Sequence, residues 1–545
     1  MCRECHILQE QLREANLRLE QLEQEKENLL QENALQQAEL VWFREQNRLA
    51  KQRQFGHSKD SGPEQLALFH FNEAEQYADL KMAEPVLAMP EQLPSLPRRR
   101  GRKQIGKRQA FWDKLPKKTT RISIPEEERL CSECGTELHK MSEEVRRELR
   151  VIPAQFWVEE IVREVYVCQN CVGVGAPSPI VTAVAPIPPI EKSFASASLL
   201  AYIADMKYSM GLPLNRITKM LNRMDLNLNR QNLPNWMIQI AELWLKPLYD
   251  EMHRQLLQRS VLHSDETHIQ VLREPGRKPE TKSSMWIYTS AKSDDQQSII
   301  LYDYQETKAA KWPKSFLDGF SGYLHVDGAS SYEAAQLKDV VLVACLSHAR
   351  RGFMDTLKAA PKGVSAWGTH AARGVEFCDM LFDLEREYDT LKLTHEERHA
   401  ERLLYSKPVM DAFYDWLLAE RPNIPAKFLL GKAVAYCLNQ WPKLVNFLLD
   451  GRLEISNNRA ERAAKAFVMG RSAWLFSNSP RGADASAVTY SVIETAAANN
   501  LKPFDYLKWL LEEMPQIRLT SENLQVLLPW SPLVPQSCKI LLHEA

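Results

Sequence analysis

Val261 to Val271, VLHSDETHIQV, reads as a short apolar strand that ends in the acidic pair Asp265-Glu266 and is followed by a second apolar run from Ile269. Two later stretches answer it. In GYLHVDG another apolar run ends in Asp327, and in SNNRAERAAK a helical pattern opens with Glu461 in its first turn. Two strand-end aspartates and a helix-borne glutamate are residue types that gather a pair of divalent ions. Hard cations prefer carboxylate oxygen, and carboxylates reach them best from rigid elements. The expectation is phosphoryl-transfer chemistry at Asp265, Asp327 and Glu461. Each residue also has a plainer reading. Such an aspartate is ordinarily an Asx-turn carboxylate, and Asn458 and Glu461 have capping-box spacing, so Glu461 taken alone serves backbone amides. Only the conjunction favours a site.

The pattern around this stretch gives the fold class. Short strands are expected at Val261 to Asp265, Ile269 to Leu272, Met285 to Ser290 and Ile299 to Tyr304. A helix near 308 to 318 then leads to strands at Tyr323 to Asp327 and Val340 to Cys345. Antiparallel-looking strands followed by alternating helix and strand is the order of an RNase H-like α/β sheet, in which the first and fourth strands lie side by side. Asp265 and Asp327 would then be neighbours. Residues 349 to 450 are helical, with Trp367, Phe377, Leu381, Phe413, Trp416 and Leu417 apolar and a Pro-rich break at 422 to 425, and they interrupt the domain before Glu461.

At 545 residues the chain exceeds one core, and its 44% hydrophobic and 26% charged composition is that of an ordinary globular protein. No apolar run reaches the ~18 residues of a membrane span. The N-terminus has no apolar signal core, so a cytoplasmic, reducing setting is expected for the ten cysteines. Net charge is −1, which excludes a globally basic nucleic-acid binder. From Arg98 to Arg121, however, eleven Lys or Arg, including Arg98, Arg99, Arg100, Arg102 and Lys103, face one acid, Asp113. That is enough local charge to meet several phosphates, or else it is a solvated linker.

Upstream, Leu8, Ala15, Leu22 and Leu29 with Leu12, Leu19 and Leu40 form a heptad over residues 5 to 43, with Lys26 and Asn33 as register-setting polar residues on the same seam. A self-associating leucine zipper, and so a homo-oligomer, is expected; the alternative is a lone amphipathic helix on the body. Cys2-Arg3-Glu4-Cys5-His6 has the spacing of haem attachment but lacks the context for it. Cys131-Ser-Glu-Cys134 and Cys168-Gln-Asn-Cys171, with 33 residues between, supply four thiolates for structural zinc, and alternation at Phe156 to Val158 and Val165 to Val167 suggests strands between the knuckles. A redox dithiol pair is the other reading.

Ser198 to His253 is helical with breaks at Gly211-Leu-Pro213 and near Asn227 to Asn232, and with Leu199, Ile203, Ile217, Leu221, Trp236, Ile240 and Trp244 facing inward. It suits a helix-turn-helix reader or a helical packing domain equally. The resulting division is an α-helical coiled coil over 1–50, a linker with a basic segment over 51–122, a small four-cysteine zinc-binding β module over 123–176 and a helical domain over 190–256. An RNase H-like catalytic domain follows, made of 257–348 and 451–505, with an all-helical insertion over 349–450 and a C-terminal segment over 506–545.

Taken together, LHSDETHIQVL, GYLHVDGASSY, CLSHARRGF, SNNRAERAAK and GRSAWLF, with the cysteine knuckles, FGHSKD and LLPW, resemble the insertion-sequence-66 group of DDE transposases over nearly the whole chain. The resemblance implies that Asp265, Asp327 and Glu461 are the triad of a two-metal mechanism using Mg²⁺ or Mn²⁺, cutting the ends of an element and joining them to target DNA. It also implies that Arg350, Arg351 and Arg462 meet phosphate. Double-stranded DNA is the expected partner, with small accessory proteins of the same element besides, in a prokaryotic, nucleoid-associated setting. The chain departs from the family pattern at Ser456, at Leu346-Ser347 and at Gln231 to Pro234, all outside the triad. Two other readings are a two-His, one-carboxylate iron site from His263 and Asp265 with His325 or His348, and a catalytically silent, zinc-dependent DNA-binding regulator.

Overall fold

A computed structural model describes residues 119, 154–167, 180–291, 297–359 and 369–540. The heptad, the basic segment and all four knuckle cysteines lie outside the described residues. Residues 154–162 form no regular structure and are exposed apart from the half-buried Phe156; Phe156 to Val158, expected as a strand, forms none. From Arg163 onward the described residues form a separate compact unit. It begins with two short antiparallel strands, β1 (Val165–Val167) and β2 (Ile180–Thr182), in which Tyr166 opposes Val181.

The helical run breaks where the sequence says it must. Helix α1 (Ala197–Tyr208) is capped by Ser196, whose hydroxyl accepts from Leu199 N, and Gly211, at φ +67°, turns the chain into α2 (Leu214–Asn222). Helix α3 (Asn232–Ile240) runs through a π turn, Ala241–Leu245, into α4 (Lys246–Leu256). Pro247 explains the π turn. It lacks an N–H and its ring crowds the carbonyl four residues back, and a widened turn relieves both. Pro408 follows a second π turn, Arg402–Ser406, in the same way. Residues 190–256 share the compact unit of the larger sheet: Tyr249 of α4 donates from its hydroxyl to the Tyr302 carbonyl (3.1 Å). Of the expected inward residues, Leu199 and Trp244 are only half-buried and the other five are buried.

The larger sheet comprises β3 (Val261–Gln270), β4 (Lys282–Ser290), β5 (Ile300–Gln305), β6 (Gly322–Val326) and β7 (Val340–Ala344), in the order β5-β4-β3-β6-β7. The first three are antiparallel neighbours, while β3–β6 and β6–β7 are parallel. The two short strands expected from Val261 to Leu272 are one. Asp265-Glu266-Thr267 stays in register with Ile287-Trp286-Met285 of β4, so the polar residues do not end the strand. Gly322 is required at the start of β6: at φ +139° it runs so close to the Ser260 carbonyl that a Cβ would lie 2.3 Å from that oxygen.

Directly opposed residues of an antiparallel ladder share a face. Asp265, Ile287 and Tyr302 therefore face one way, and Glu266, Trp286 and Asp303 the other. On the first face lies α12 (Asn458–Trp474), whose Ala463 carbonyl accepts from the Tyr302 hydroxyl at 2.7 Å. On the second lie α5 (Lys311–Phe316) and α6 (Ser330–Ala335), where Phe316 stacks on Tyr288 and Tyr332 meets Trp286 edge-on. The free edge of β5 is closed by α13 (Pro480–Ala498). Ser491 Oγ accepts from Tyr302 N (2.8 Å), and Thr495 Oγ1 accepts from Ile300 N (3.0 Å) and donates to Ile300 O (2.9 Å), so the edge offers no template for another chain.

Between β7 and α12 come α7 (Leu346–Lys358), α8 (His370–Leu391), α9 (His395–Glu401), α10 (Lys407–Glu420) and α11 (Leu429–Leu444). The expected apolar positions Phe377, Leu381, Phe413 and Leu417 are buried in their common core with Phe353, and Trp416 packs at its margin. Trp367 lies outside the described residues. Helices α14 (Pro503–Glu513) and α15 (Ser521–Gln525) follow, α14 packing on α1. No helix among the described residues is long and apolar enough to cross a membrane.

Candidate active site

Strand lengths make the site. Parallel pairing of β3 with β6 ends at His263–His325, because β6 stops at Val326 while β3 continues on β4. Two residues on, Asp265 and Asp327 flank the notch this leaves. Asp327 is pinned by an Asx turn to Ala329 N (2.9 Å), and its carbonyl accepts from the Tyr436 hydroxyl of α11 (2.9 Å). Asp265 accepts only the adjacent Glu266 N (2.9 Å). Burial, then the Asp327 and Glu266 carboxylates, push Asp265 up to about 7. One oxygen each of Asp265, Glu266 and Asp327 lies within 4.8 Å of the others.

Glu461, on α12, lies near enough to Asp265 to add to the charge around it but is grouped with Cys345 and His348 rather than with the aspartates, and it is not a helix cap. The capping role weighed from sequence is not what its carboxylate does: Oε2 accepts from Arg351 Nη2 (3.3 Å), and Oε1 lies 3.6 Å from His348 Nδ1. Arg351 Nη1 also approaches His348 Nε2 at 3.3 Å. Because Arg only donates, the ring's proton belongs on Nδ1, toward Glu461. Cys345 Sγ, His348 and Glu461 form a second group of donor atoms within 4.8 Å. Burial, then Arg351, lower the His348 pKa.

What delivers Glu461 is Asn457, which is fully buried. Its side chain donates to Ser264 O (2.8 Å) and meets His263 Nδ1 (3.1 Å), and its backbone N–H donates to Cys345 Sγ (3.1 Å). With Leu346 N to Ile455 O (3.1 Å), this stitches the start of α12 to β3 and to the start of α7. The polar run Ser456 to Asn458 was visible, but its use in joining three elements was not.

The other expected residues are placed as follows. Arg350 is held bidentately by Asp379 of α8 (2.6 and 3.2 Å), which removes it from the free cations; Arg351 turns to Glu461; Arg462 is exposed. The iron-site reading fails on geometry. His263 and His325 are both buried and stacked on each other with centroids 4.2 Å apart, His263 is engaged by Asn457, and a mixed sheet replaces the jelly roll it needs. Glu266 was seen in the sequence only as the second member of an acidic pair.

Comparison with known proteins now bears on this arrangement. The model of the Transposase IS66 family matches residues 192–485, a span holding both aspartates and the glutamate. The chain belongs to the IS66 family of transposases. A zinc-finger binding domain of transposase IS66 matches residues 128–172, which include Cys131, Cys134, Cys168 and Cys171, and an IS66 C-terminal element matches 491–530. Similar proteins of Sinorhizobium fredii are the uncharacterized protein y4jD, 30% identical over 79% of this chain and 83% of its own length, and the uncharacterized protein y4hP, 30% identical over 73% of each.

The protein is thus a DDE-family transposase: a zinc-finger region followed by a domain of mixed sheet and many helices. The family implies DNA binding, divalent metal in that domain and zinc in the finger. The carboxylates suit a hard divalent cation. Three acids crowd one notch, and Glu266 Oε2 and Glu461 Oε1 are buried without a hydrogen-bond partner, an arrangement that costs free energy until positive charge arrives.

Proposed function

We propose that this transposase cuts the ends of its element and joins them to target DNA at a site made by Asp265, Asp327 and Glu461 on an RNase H-like sheet. The observation that carries the reading is the notch at the end of β6, where Asp327, just past that strand, meets Asp265 of the neighbouring β3. Divalent cations, Mg²⁺ or Mn²⁺, supply neutralising charge and Lewis acidity toward the attacking and leaving oxygens of a phosphodiester. Asp265 holds that charge from within β3 and Asp327 from the Asx turn just past β6, and Glu461 joins from α12. His348 and Arg351 keep the Glu461 carboxylate oriented toward the aspartates' edge. Arg351 and the exposed Arg462 stand where the DNA backbone approaches, and Arg350 supports α7 through Asp379.

Cys131, Cys134, Cys168 and Cys171 hold one structural Zn²⁺, the basic run with Arg98, Arg99, Arg100, Arg102 and Lys103 contacts phosphate without reading sequence, and the heptad joins protomers. The protein acts in the bacterial cytoplasm at the nucleoid, with small accessory proteins of the element as further partners.

The test uses isosteric variants. Asp265→Asn, Asp327→Asn and Glu461→Gln each lower cleavage and strand transfer on labelled terminal DNA by roughly a thousandfold or more, the rate equivalent of several kcal/mol of transition-state stabilisation. DNA-end binding in a gel-shift assay persists. A Glu461→Gln protein that still cuts removes Glu461 from the triad; three inactive variants that no longer bind ends point to a folding defect instead.

A further inference from the structure

Glu266 stands outside the triad, yet no structural duty accounts for it. Its side chain is only 4% exposed, and one carboxylate oxygen lies within 4.8 Å of oxygens of both Asp265 and Asp327. Oε1 pairs with Lys308 Nζ at 3.2 Å, while Oε2 is buried with no hydrogen-bond partner. A buried carboxylate crowded by two more, with one oxygen that accepts nothing, is unfavourable, and natural proteins keep such groups where a ligand completes them. Strand parity alone would turn Glu266 away from Asp265. Because β6 has ended by this point, Asp327 stands at the strand edge, within reach of both faces.

We propose that Glu266 is a fourth carboxylate of the divalent-metal site and that Lys308 is the cation that competes for it; this rests on reading Asp265 and Asp327 as metal ligands. Lys308 is built for that part. Its backbone carbonyl accepts from Ser331 Oγ (2.8 Å), which anchors the loop after β5 to the helix that follows Asp327. Beyond that anchor the side chain is 57% exposed, so the ammonium leaves for water at little cost. One ammonium charge against three carboxylates is also a poor match for a divalent ion, which displaces it.

The test is calorimetric titration of Mn²⁺ into zinc-replete, full-length protein without DNA, alongside melting in the absence of Mn²⁺. Glu266→Gln weakens Mn²⁺ binding at least about tenfold, since even partners that merely orient a ligand cost that much, and melts no lower than the parent without Mn²⁺. Lys308→Met shifts affinity the opposite way, tightening binding about two- to fivefold, the worth of a half-exposed ion pair. The double variant binds no more tightly than Glu266→Gln. Asp265→Asn separates the two readings. If it loses Mn²⁺ while Glu266→Gln binds like the parent, Glu266 is not a ligand and the proposal falls alone. If Asp265→Asn also binds like the parent, the metal reading of the aspartates falls and takes the proposal with it. A Glu266→Gln protein that melts lower without Mn²⁺ makes Glu266 a structural partner of Lys308, and weaker binding by Lys308→Met likewise overturns the competition.

Discussion

Buried ionisable side chains in this protein pull its pH response in opposite directions. Glu494 of α13, near Tyr302 and Tyr490, is pushed up to about 7 by burial, above the ~4.3 of an unfolded chain. The folded state therefore holds this proton more tightly than the unfolded one, and stability falls as pH rises from about 4 to 7. His263 works the other way: burial pushes it down to about 4, so the unfolded state takes the proton first and stability is lost as pH drops below about 6.5. The whole-protein curve mixes such contributions, but a variant isolates one. Glu494→Gln should be more stable than the parent at pH 8 by on the order of 2 kcal/mol, with the gap narrowed to well under half of that by pH 5. Urea unfolding at both pH values checks this, and a pH-independent gap would mean that Glu494 is not held in a desolvated site. None of this is legible in SVIETAAANN, where Glu494 reads as an ordinary helix-surface acid.

Among the elements, a buried arginine ties helix α8 to the turn that leads to Glu461. Arg402, in the second π turn and fully buried, forks onto both Glu385 oxygens (2.7 Å each) and donates to the carbonyls of Phe447 (2.9 Å), Asp450 (3.0 Å) and Leu453 (2.8 Å). Those carbonyls belong to the turn that runs into Asn457 and α12. Arg402→Met leaves a buried carboxylate with Arg398 alone (3.0 Å), strips the Phe447 and Leu453 carbonyls of their guanidinium donor and leaves the Asp450 carbonyl only Leu453 N, and should lower unfolding free energy by about 3–5 kcal/mol. Arg402→Lys should recover little of it, since an ammonium cannot reproduce the planar fork. Chemical denaturation of both proteins, each judged against the parent, tests the claim; near-parent stability of either variant would refute it. The helices themselves were readable from apolar spacing. The arginine's role was not, because its partners lie 17 to 51 residues away.

For the whole molecule, the expectations outside the described residues are open to direct measurement. Leucines of a heptad pack best against a second helix, so Leu22→Glu with Leu29→Glu should reduce the mass seen by light scattering. An unchanged mass would leave the segment a lone helix. Four thiolates make a closed tetrahedral site coupled to folding, so freshly purified reduced protein should carry one Zn²⁺ per chain, and less than about half an equivalent would count against the knuckles as a single site.

What the sequence determined by itself is local in origin: helix breaks at Gly211 and Pro213, the alternation of helix and strand, the cysteine spacing, and the choice of Asp265, Asp327 and Glu461 as candidates. These follow from backbone stereochemistry and periodicities of a few residues, and in the last case from motifs read together. Tertiary structure decided what depends on where one strand ends against another. It merged two expected strands into β3 and ended β6 early, which opened the notch and brought Glu266 into it. It also turned Glu461 from a cap into a partner of Arg351 and His348, and gave Arg350 to Asp379. Each is a choice among partners some 30 to 110 residues apart, made by packing and desolvation, and no local preference encodes it.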